Sequence, residues 1–436
     1  MSGHAGKTKV VLLVLAAALA GCSGETGKTA DSGGKDTDGG NSAKAPSAPE
    51  TVTIFPNVPV TDADFQLLFV DPVKKRYPHI TIEQVKGNMD NMITSGQLPD
   101  IVLTHNGMLA EMKDKGLTAD LSPLIKTQNF ALDRFDPVYI DSIRAVSDKD
   151  ELYAIPYGIN YTMLFYNKDL FDKFGIAYPR DGMTWTDAID LARKLSRSDG
   201  GVKYRGLDPE GAARLGRQLG VDFSDFKTKK ALVNGEKWRT IFEITKAVYT
   251  IPGNEPADVN NSQGQTDFIK NKNLAMFATV NILDQLKEAE KDGLSWDIAQ
   301  YPSVPGYPEI NSDVDEHLML ITGTSKHRLA ALQVADAVTS LETQLLSVRK
   351  TARLSPLKDP AVKQNFGAEL DYLKGKRLDS ALKGKTIAAP IRTKYYTKTK
   401  ELALQSFKEY VNGKDLNTAL REAEEKINQY IASDTK

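Results

Sequence analysis

The stretch from Leu152 to Phe174 constrains the fold more than any other part of the chain. It contains two runs of β-forming residues, Leu152–Ile155 and Thr162–Tyr166, joined by Pro156-Tyr157-Gly158. Proline stops a helix and glycine weakens one, so the backbone is predicted to be extended on both sides of this tripeptide. We interpret the tripeptide as a soft point at which the chain passes from one lobe to another.

The residues before this stretch alternate between strand-like and helix-like patterns. Strands are predicted over Val52–Phe55, Ile80–Val85 and Asp100–Leu103, and a helix capped by Thr61 is predicted over Asp62–Tyr77. This order is typical of a parallel sheet, whose ligands bind beyond the carboxyl ends of the strands.

Polar residues follow two of these predicted strands. Asn57 comes after the first strand, and His105 and Asn106 come after the third. We therefore expect these three residues to contact a ligand. Two alternatives stay open: Asn57 beside a proline is also ordinary turn chemistry, and His105 could cap the following helix.

Composition narrows the classes of function. The chain has 436 residues, 41% hydrophobic and 26% charged, which is enough for two or three domains. A formal net charge of −1 does not predict a nucleic-acid partner. One cysteine and five histidines do not predict a metal site, and no cofactor is expected. A metal-transport protein is a weaker alternative, because the histidines after residue 21 have no helical ligand spacing: His79, His105, His317 and His327.

The N-terminus has the features of an export signal. Lys7 and Lys9 precede an apolar run, Val10–Ala20, that is too short to span a bilayer comfortably. The run leads into Leu19-Ala20-Gly21-Cys22, which resembles a bacterial lipobox. That resemblance implies removal of residues 1–21 and a lipid on Cys22. Residues 22–50, rich in Gly, Ser, Lys and Asp, are expected to form a lipidated, disordered tether.

Several motifs resemble those of the extracellular solute-binding proteins of bacterial ABC importers, in the branch that includes maltose- and oligosaccharide-binding proteins. They occur in the order Leu98-Pro99-Asp100-Ile101-Val102, Ile155-Pro156-Tyr157-Gly158, Tyr166-Asn167-Lys168-Asp169-Leu170-Phe171, and Trp296 through Gly306. The resemblance implies an α/β, two-lobed periplasmic-binding-protein-like fold, each lobe a sheet flanked by helices, with three hinge crossings. It places the first lobe in 51–157 and 316–350, and the second in 158–315 and in closing helices within 351–436.

On this resemblance the ligand lies in a cleft between the lobes. Tyr157 and Asn160 of the first crossing, and Asn281 after a later strand, are expected to contact it. At 279–282, where relatives present a glycine and an aromatic residue, this chain has Thr-Val-Asn-Ile and lacks the stacking surface. Glu316 and His317, which follow Asp313 and Asp315, either bind a polar or cationic ligand or form a solvated turn at the rim.

The resemblance implies a monomeric lipoprotein on the outer side of the cell membrane. It would capture a small solute, an oligosaccharide or glycoside, and deliver it to the importer's membrane subunits without covalent chemistry. The alternative is a secreted lipoprotein hydrolase acting on glycosides. No Gly-x-Ser-x-Gly is present, and Asp315 and Glu316 are adjacent, which in a strand sends their side chains to opposite sides.

Overall fold

The structure is a computed structural model that describes residues 48–261 and 263–434. The predicted signal segment, Cys22 and the tether up to residue 47 lie outside the described residues. Glu50, the last residue of the predicted tether, already belongs to the first strand.

Strands and helices alternate through the described chain. The strands are β1 Glu50–Pro56, β2 Ile80–Gln84, β3 Ile101–His105, β4 Ala154–Ile159, β5 Thr162–Asn167, β6 Arg197–Asp199, β7 Val202–Asp208, β8 Leu274–Val280, β9 Trp296–Ala299, β10 Ile310–Asp313, β11 Glu316–Ile321 and β12 Lys385–Ile387. The helices are α1 Asp62–Phe65, α2 Asp71–Arg76, α3 Met89–Ser95, α4 Asn106–Asp114, α5 Ser122–Thr127, α6 Pro137–Arg144, α7 Lys168–Phe174, α8 Trp185–Leu195, α9 Ala212–Gln218, α10 Glu236–Tyr249, α11 Gly264–Ile269, α12 Leu283–Lys291, α13 Arg328–Val338, α14 Leu341–Lys350, α15 Pro360–Gln364, α16 Tyr396–Val411 and α17 Leu416–Asp434. A π-helical stretch, Gln66–Val70, joins α1 to α2.

The first sheet has the strand order β2-β1-β3-β11-β4. Its three N-terminal strands are parallel, as the βαβα pattern predicts, whereas β11 runs antiparallel to both β3 and β4. A core of its own lies against this sheet, built from residues between Val52 and Tyr157, from β11 and α13, and from Leu357. Chain segments that are far apart in sequence therefore form one layer.

The second sheet has the order β6-β7-β8-β5-β9 and carries a separate core on each face. Trp185 and Trp238 are buried on one face and Trp296 on the other. Two sheets flanked by helices, each with its own core, confirm the predicted α/β, two-lobed fold. The number of hinge crossings stays a prediction, because a hinge is defined by motion.

The predicted soft point is displaced in the structure. Pro156, Tyr157 and Gly158 lie inside β4, so the prediction that they separate two strands is wrong. Proline has no N–H to donate to a neighbouring strand. It is tolerated in β4 because β4 is an edge strand, where no neighbour needs that hydrogen bond. Tyr157 is the extra residue of a β-bulge, since His317 pairs with Gly158 and Leu318 pairs with Pro156. The chain leaves the first sheet after Ile159.

Local capping chemistry positions the helices as the sequence predicts. The Thr61 hydroxyl accepts the Asp64 N–H at 3.0 Å at the start of α1. Thr184 and Asp187 form a reciprocal capping box at the start of α8, and the adjacent Trp185 is fully buried in the core. Within residues 48–261 and 263–434, no helix is both long and apolar enough to cross a bilayer.

Candidate functional site

Three stretches of backbone lie side by side between the two sheets, and we call them the junction: residues 160–161, 314–315 and 352–354. The Asn160 N–H donates to the carbonyl of Asp315 at 2.7 Å. The hydroxyl of Tyr161 donates to the carbonyl of Ala352 at 2.8 Å. These bonds tie the three stretches together where the chain passes between sheets.

Predicted site residues from the first sheet gather beside the junction. His105 at the end of β3 and His317 at the start of β11 are direct cross-strand partners. The amide of Asn106 donates to the carbonyl of Val314 at 2.9 Å. Asn57 follows β1, where its N–H bonds to the carbonyl of Leu103 at 2.9 Å. These residues therefore lie at the same edge of the sheet, and their contact with a ligand stays a prediction.

Two further predicted residues lie at the junction: Asn281 follows β8 of the second sheet, and Asn160 belongs to the junction itself. The Asn281 N–H donates to the carbonyl of Tyr161 at 2.9 Å, and its side-chain amide donates to the carbonyl of Ala352 at 3.1 Å. The side-chain amide of Asn160 reaches a carboxylate oxygen of Asp315 at 3.4 Å. Both asparagines thus hold the junction together in this conformation.

Glu316 lies on the other side of β11 from His317, because successive residues of a strand face opposite ways. Its side chain is 0% exposed, and among the described residues neither carboxylate oxygen has a partner at ordinary hydrogen-bond geometry. Burial raises its pKa well above the usual range, and the nearby Ser142 hydroxyl offsets only part of that effect. The predicted ligand contact of Glu316 is untested, and here its side chain faces the interior of the first lobe.

His317 is an uncharged group at neutral pH. Burial lowers its pKa to about 4, and the positive charge of Arg353 acts in the same direction. An Arg353 guanidinium nitrogen lies 3.4 Å from His317 Nδ1. The ring of Tyr157 packs 5.9 Å from that of His317, and the buried Tyr157 hydroxyl has no hydrogen-bond partner within the described chain. The uncharged His317 ring therefore lies between the buried ring of Tyr157 and the positive charge of Arg353.

Arg217 is not among the residues predicted from the sequence, yet it binds the segment 313–315 at three points. From α9 it forms ion pairs with Asp313 at 2.7 Å and Asp315 at 2.9 Å, and it donates to the carbonyl of Val314 at 3.1 Å. Burial alone would raise the pKa of Asp315, but the positive charges of Arg217 and Arg214 outweigh it and hold the pKa at about 2. Asp313 and Asp315 are thus paired and largely buried, so they do not form a solvated turn, and contact of this segment with a polar or cationic ligand stays a prediction.

Further charged side chains surround Arg217. Arg214 pairs with Glu210 through two bonds of 3.0 and 3.2 Å, and the Thr279 hydroxyl also donates to Glu210. Arg214 and Arg217 follow β7, which runs parallel to β8. The rule that led to His105 and Asn106, namely that ligand groups follow parallel strands, would have identified this helix if applied to the second sheet.

Arg353, which lies beside His317, also reaches the first lobe. One of its guanidinium nitrogens lies 3.5 Å from a carboxylate oxygen of Asp64 on α1. Burial raises the pKa of Asp284 on α12, while Arg353 opposes the rise and Asp64 adds to it. These three groups bring charges from both lobes close together beside the junction.

Two cavities away from the junction contain none of the predicted site residues. One of about 280 Å³ is lined by Leu67, Pro72 and Leu346, and another of about 460 Å³ is lined by Met183, Tyr301 and Lys385. In the part of the chain that the structure describes, no three His, Cys, Asp or Glu side chains are placed to hold a metal ion. The junction, where polar groups of both sheets meet, is the candidate site.

Comparison with known proteins defines the class. The family described as bacterial extracellular solute-binding protein matches residues 33–345, which is most of the chain. The chain therefore belongs to the bacterial extracellular solute-binding protein family.

Individual relatives agree with this assignment. A mannitol-binding protein of Pseudomonas aeruginosa is 31% identical over 136 residues, 31% of this chain; the match spans only 27% of that relative's length. An ABC substrate-binding protein of Listeria monocytogenes in complex with cycloalternan has a TM-score of 0.68 at 18% identity, covering 88% of this chain and 99% of its own. A sugar transporter of Rhizobium etli in an open conformation has a TM-score of 0.67 at 19% identity, covering 87% and 99%. At these identities the two structures establish the fold alone.

Proposed function

We propose that this chain is the substrate-binding component of a bacterial ABC importer and captures a saccharide or polyol between its lobes. The observation that carries the proposal is the convergence of polar side chains from both sheets on the junction. His105, Asn106 and His317 come from the first sheet, and Arg217 and Asn281 come from the second. A solute that contacts both sets stabilises the arrangement in which the lobes are close together.

The mechanism follows from that geometry. The lobes are the predicted ones, 51–157 with 316–350 and 158–315 with 351–436, except that Gly158 and Ile159 belong to β4 and therefore to the first lobe. The lobes exchange between open and closed arrangements by rotation at three crossings. A ligand shifts this equilibrium only by its difference in affinity for the two arrangements. The importer's membrane subunits then recognise the closed form. The open conformation of the Rhizobium etli neighbour supports this two-state description.

We infer that the protein is not an enzyme. A glycosidase needs two carboxyl groups on either side of the bond, one free to donate a proton and one free to attack or activate water. Asp313 and Asp315 are both bound to Arg217, and Glu316 is buried away from the junction. These arrangements favour solute binding over the alternative of a secreted glycoside hydrolase.

Membrane attachment rests on the N-terminal sequence. We propose that lipidated Cys22 and the tether hold the two lobes as a monomer at the outer face of the cell membrane. Metabolic labelling with a fatty acid analogue is expected to label the wild-type protein and not a Cys22→Ala variant. A protein that stays membrane-bound and unlabelled would contradict the anchor while leaving solute binding untouched.

The ligand class follows the relatives' names. The solutes named for them are mannitol and cycloalternan, a polyol and a saccharide. Thermal unfolding of the full chain in the presence of mannitol, cycloalternan, mannobiose and maltose tests the proposal. A ligand at a hundredfold its Kd adds about 2.7 kcal/mol to the free energy of unfolding.

A matched pair of variants locates the binding site. His105→Ala removes a side chain at the junction and is expected to lower affinity about tenfold. His79→Ala removes the same side chain beside Tyr77 in the first lobe, outside the junction, and is expected to leave affinity unchanged. Sustained hydrolysis of a glycoside would contradict the proposal. An absence of stabilisation both by these solutes and by their carboxylate and phosphate derivatives would also contradict it.

A further inference from the structure

Arg392 and Lys400, two half-buried cations beside the junction, have no assigned role. We propose that they form a subsite for an anionic group, so that the transported solute is an acidic saccharide or polyol bearing a carboxylate or phosphate. This inference rests on the proposed function and specifies its ligand class.

Arg392 extends from the second lobe onto the first. It precedes α16, and its guanidinium lies over the ring of Tyr396, 4.3 Å from the ring centroid. A Cβ atom built on Gly107, in the first turn of α4, would overlap Nη1 of Arg392 and lie 2.9 Å from Nδ1 of His105. The guanidinium therefore occupies the space that glycine leaves open, directly beside His105.

Lys400 lies one turn after Tyr396 on α16. It is therefore on the same side of the helix as Tyr396, whose ring packs against Arg392. Burial lowers its pKa, and the neighbouring Arg214 and Arg392 add to the effect. Within residues 48–261 and 263–434, neither Arg392 nor Lys400 has a hydrogen bond or an ion pair. Two cations are thus held close together without an acidic partner.

The surrounding carboxylates are already bound to other groups. Glu210 is bound by Arg214, and Asp313 and Asp315 are bound by Arg217. Asp222 is the remaining acid near Arg392; it is only 3% exposed, and one of its oxygens accepts the Phe223 N–H at 2.7 Å. With Asp222 included, the number of acidic side chains named here equals the number of basic ones. The acids are Glu210, Asp222, Asp313 and Asp315, and the cations are Arg214, Arg217, Arg392 and Lys400. The distribution is uneven, however, because Asp222 and Asp313 are buried whereas Arg392 and Lys400 keep accessible surface.

An anionic group matches this arrangement chemically. A guanidinium presents parallel N–H donors that fit a carboxylate or phosphate, and an ammonium adds a compact positive charge. Because the guanidinium belongs to the second lobe and packs on the first, an anion bound there contacts both lobes. Neutral hydroxyls would then be recognised by the uncharged groups around His317 and Tyr157.

Matched ligand pairs test the proposal by calorimetric titration of the full-length chain. The pairs are mannitol with mannitol 1-phosphate and glucose with glucuronate, and inorganic phosphate serves as the isolated anion. The anionic member is expected to bind at least tenfold more tightly, which is about 1.4 kcal/mol. Its affinity should fall with added salt, whereas that of the neutral member should not.

Three variants separate a specific subsite from general electrostatics. Arg392→Gln and Lys400→Gln are each expected to reduce the anionic preference about tenfold. Lys398→Gln removes the same charge from the same helix, where Lys398 pairs with Glu401 at 2.7 Å, and is expected to change nothing. Circular dichroism verifies that each variant is folded.

Each outcome decides the matter. Equal or tighter binding of the neutral members overturns the anion subsite and leaves the proposed function intact. Anionic preference that survives both substitutions also overturns it. If inorganic phosphate and both members of every pair fail to bind, both the subsite and the proposed ligand class are overturned.

Discussion

Replacing the buried Glu316 by glutamine tests whether the start of β11 contains an uncharged carboxyl group. Burial raises the pKa of Glu316 above its ordinary value of 4.5, so the folded protein holds a proton that the unfolded chain releases. The stability that this proton contributes is complete below pH 4.5 and is lost as the pH rises towards the folded-state pKa. Glutamine cannot ionise and avoids this loss.

The expected magnitude comes from the slope of the linkage. Each pH unit between the unfolded and folded pKa values removes about 1.4 kcal/mol from the free energy of unfolding. Between pH 5 and pH 7, the Glu316→Gln variant should therefore gain up to about 2.7 kcal/mol relative to wild type. Near pH 4 the two proteins should differ by less than about 1 kcal/mol, since the side chains are then both uncharged and nearly isosteric.

Urea denaturation at half-unit steps from pH 4 to pH 8 measures this difference. Glu342→Gln is the control, because Glu342 is an exposed glutamate with 73% of its side chain accessible. It should show no pH-dependent difference from wild type. A difference between Glu316→Gln and wild type that stays constant across the range would show that Glu316 is ionised or hydrated in the fold, and would refute the reasoning.

Two further substitutions test the charged groups beside the junction. Arg217→Ala leaves Asp313 and Asp315 buried without their partner and should cost about 3–5 kcal/mol in urea denaturation; a loss below about 1 kcal/mol would contradict the ion pairs as drawn. Gly107→Ala favours the helix by up to about 1 kcal/mol, yet its Cβ displaces the Arg392 guanidinium. Affinity for an acidic solute should therefore fall about tenfold without loss of stability, and unchanged affinity would place Arg392 elsewhere.

The fold is largely predictable because its signals are local. The side-chain oxygens of Thr61 and Thr184 each accept a hydrogen bond from the backbone N–H three residues later. Sequence spacing alone therefore identifies these two caps. The prediction that Pro156 lies between two strands is wrong, because the effect of a proline depends on whether its strand is at the edge or in the interior of a sheet. A proline ends an interior strand, but β4 is an edge strand, and that position is set by β11, more than 150 residues away.

The candidate site is only partly predictable for the same reason. His105 and Asn106 are identified by a rule about strand ends, which needs no tertiary information. Arg217 meets Asp313 across 96 residues, and no local pattern marks either residue as the other's partner. Glu316 and His317 are neighbours in sequence with opposite surroundings, since the direction of each side chain is fixed only when the register of β11 is known.

The bonding of the cations assigns them different parts in lobe closure. Arg217 binds Asp313, Val314 and Asp315, which the predicted division assigns to its own lobe, so we expect these contacts to persist when the lobes separate. Arg392 has no acidic partner among the described residues and packs against Gly107 of the other lobe, so we expect that contact only when the lobes are close. A ligand changes the open–closed equilibrium only through contacts that differ between the two arrangements. On the proposed function, we therefore expect an anion at Arg392 to favour closure, and the ion pairs of Arg217 to be the same in both arrangements.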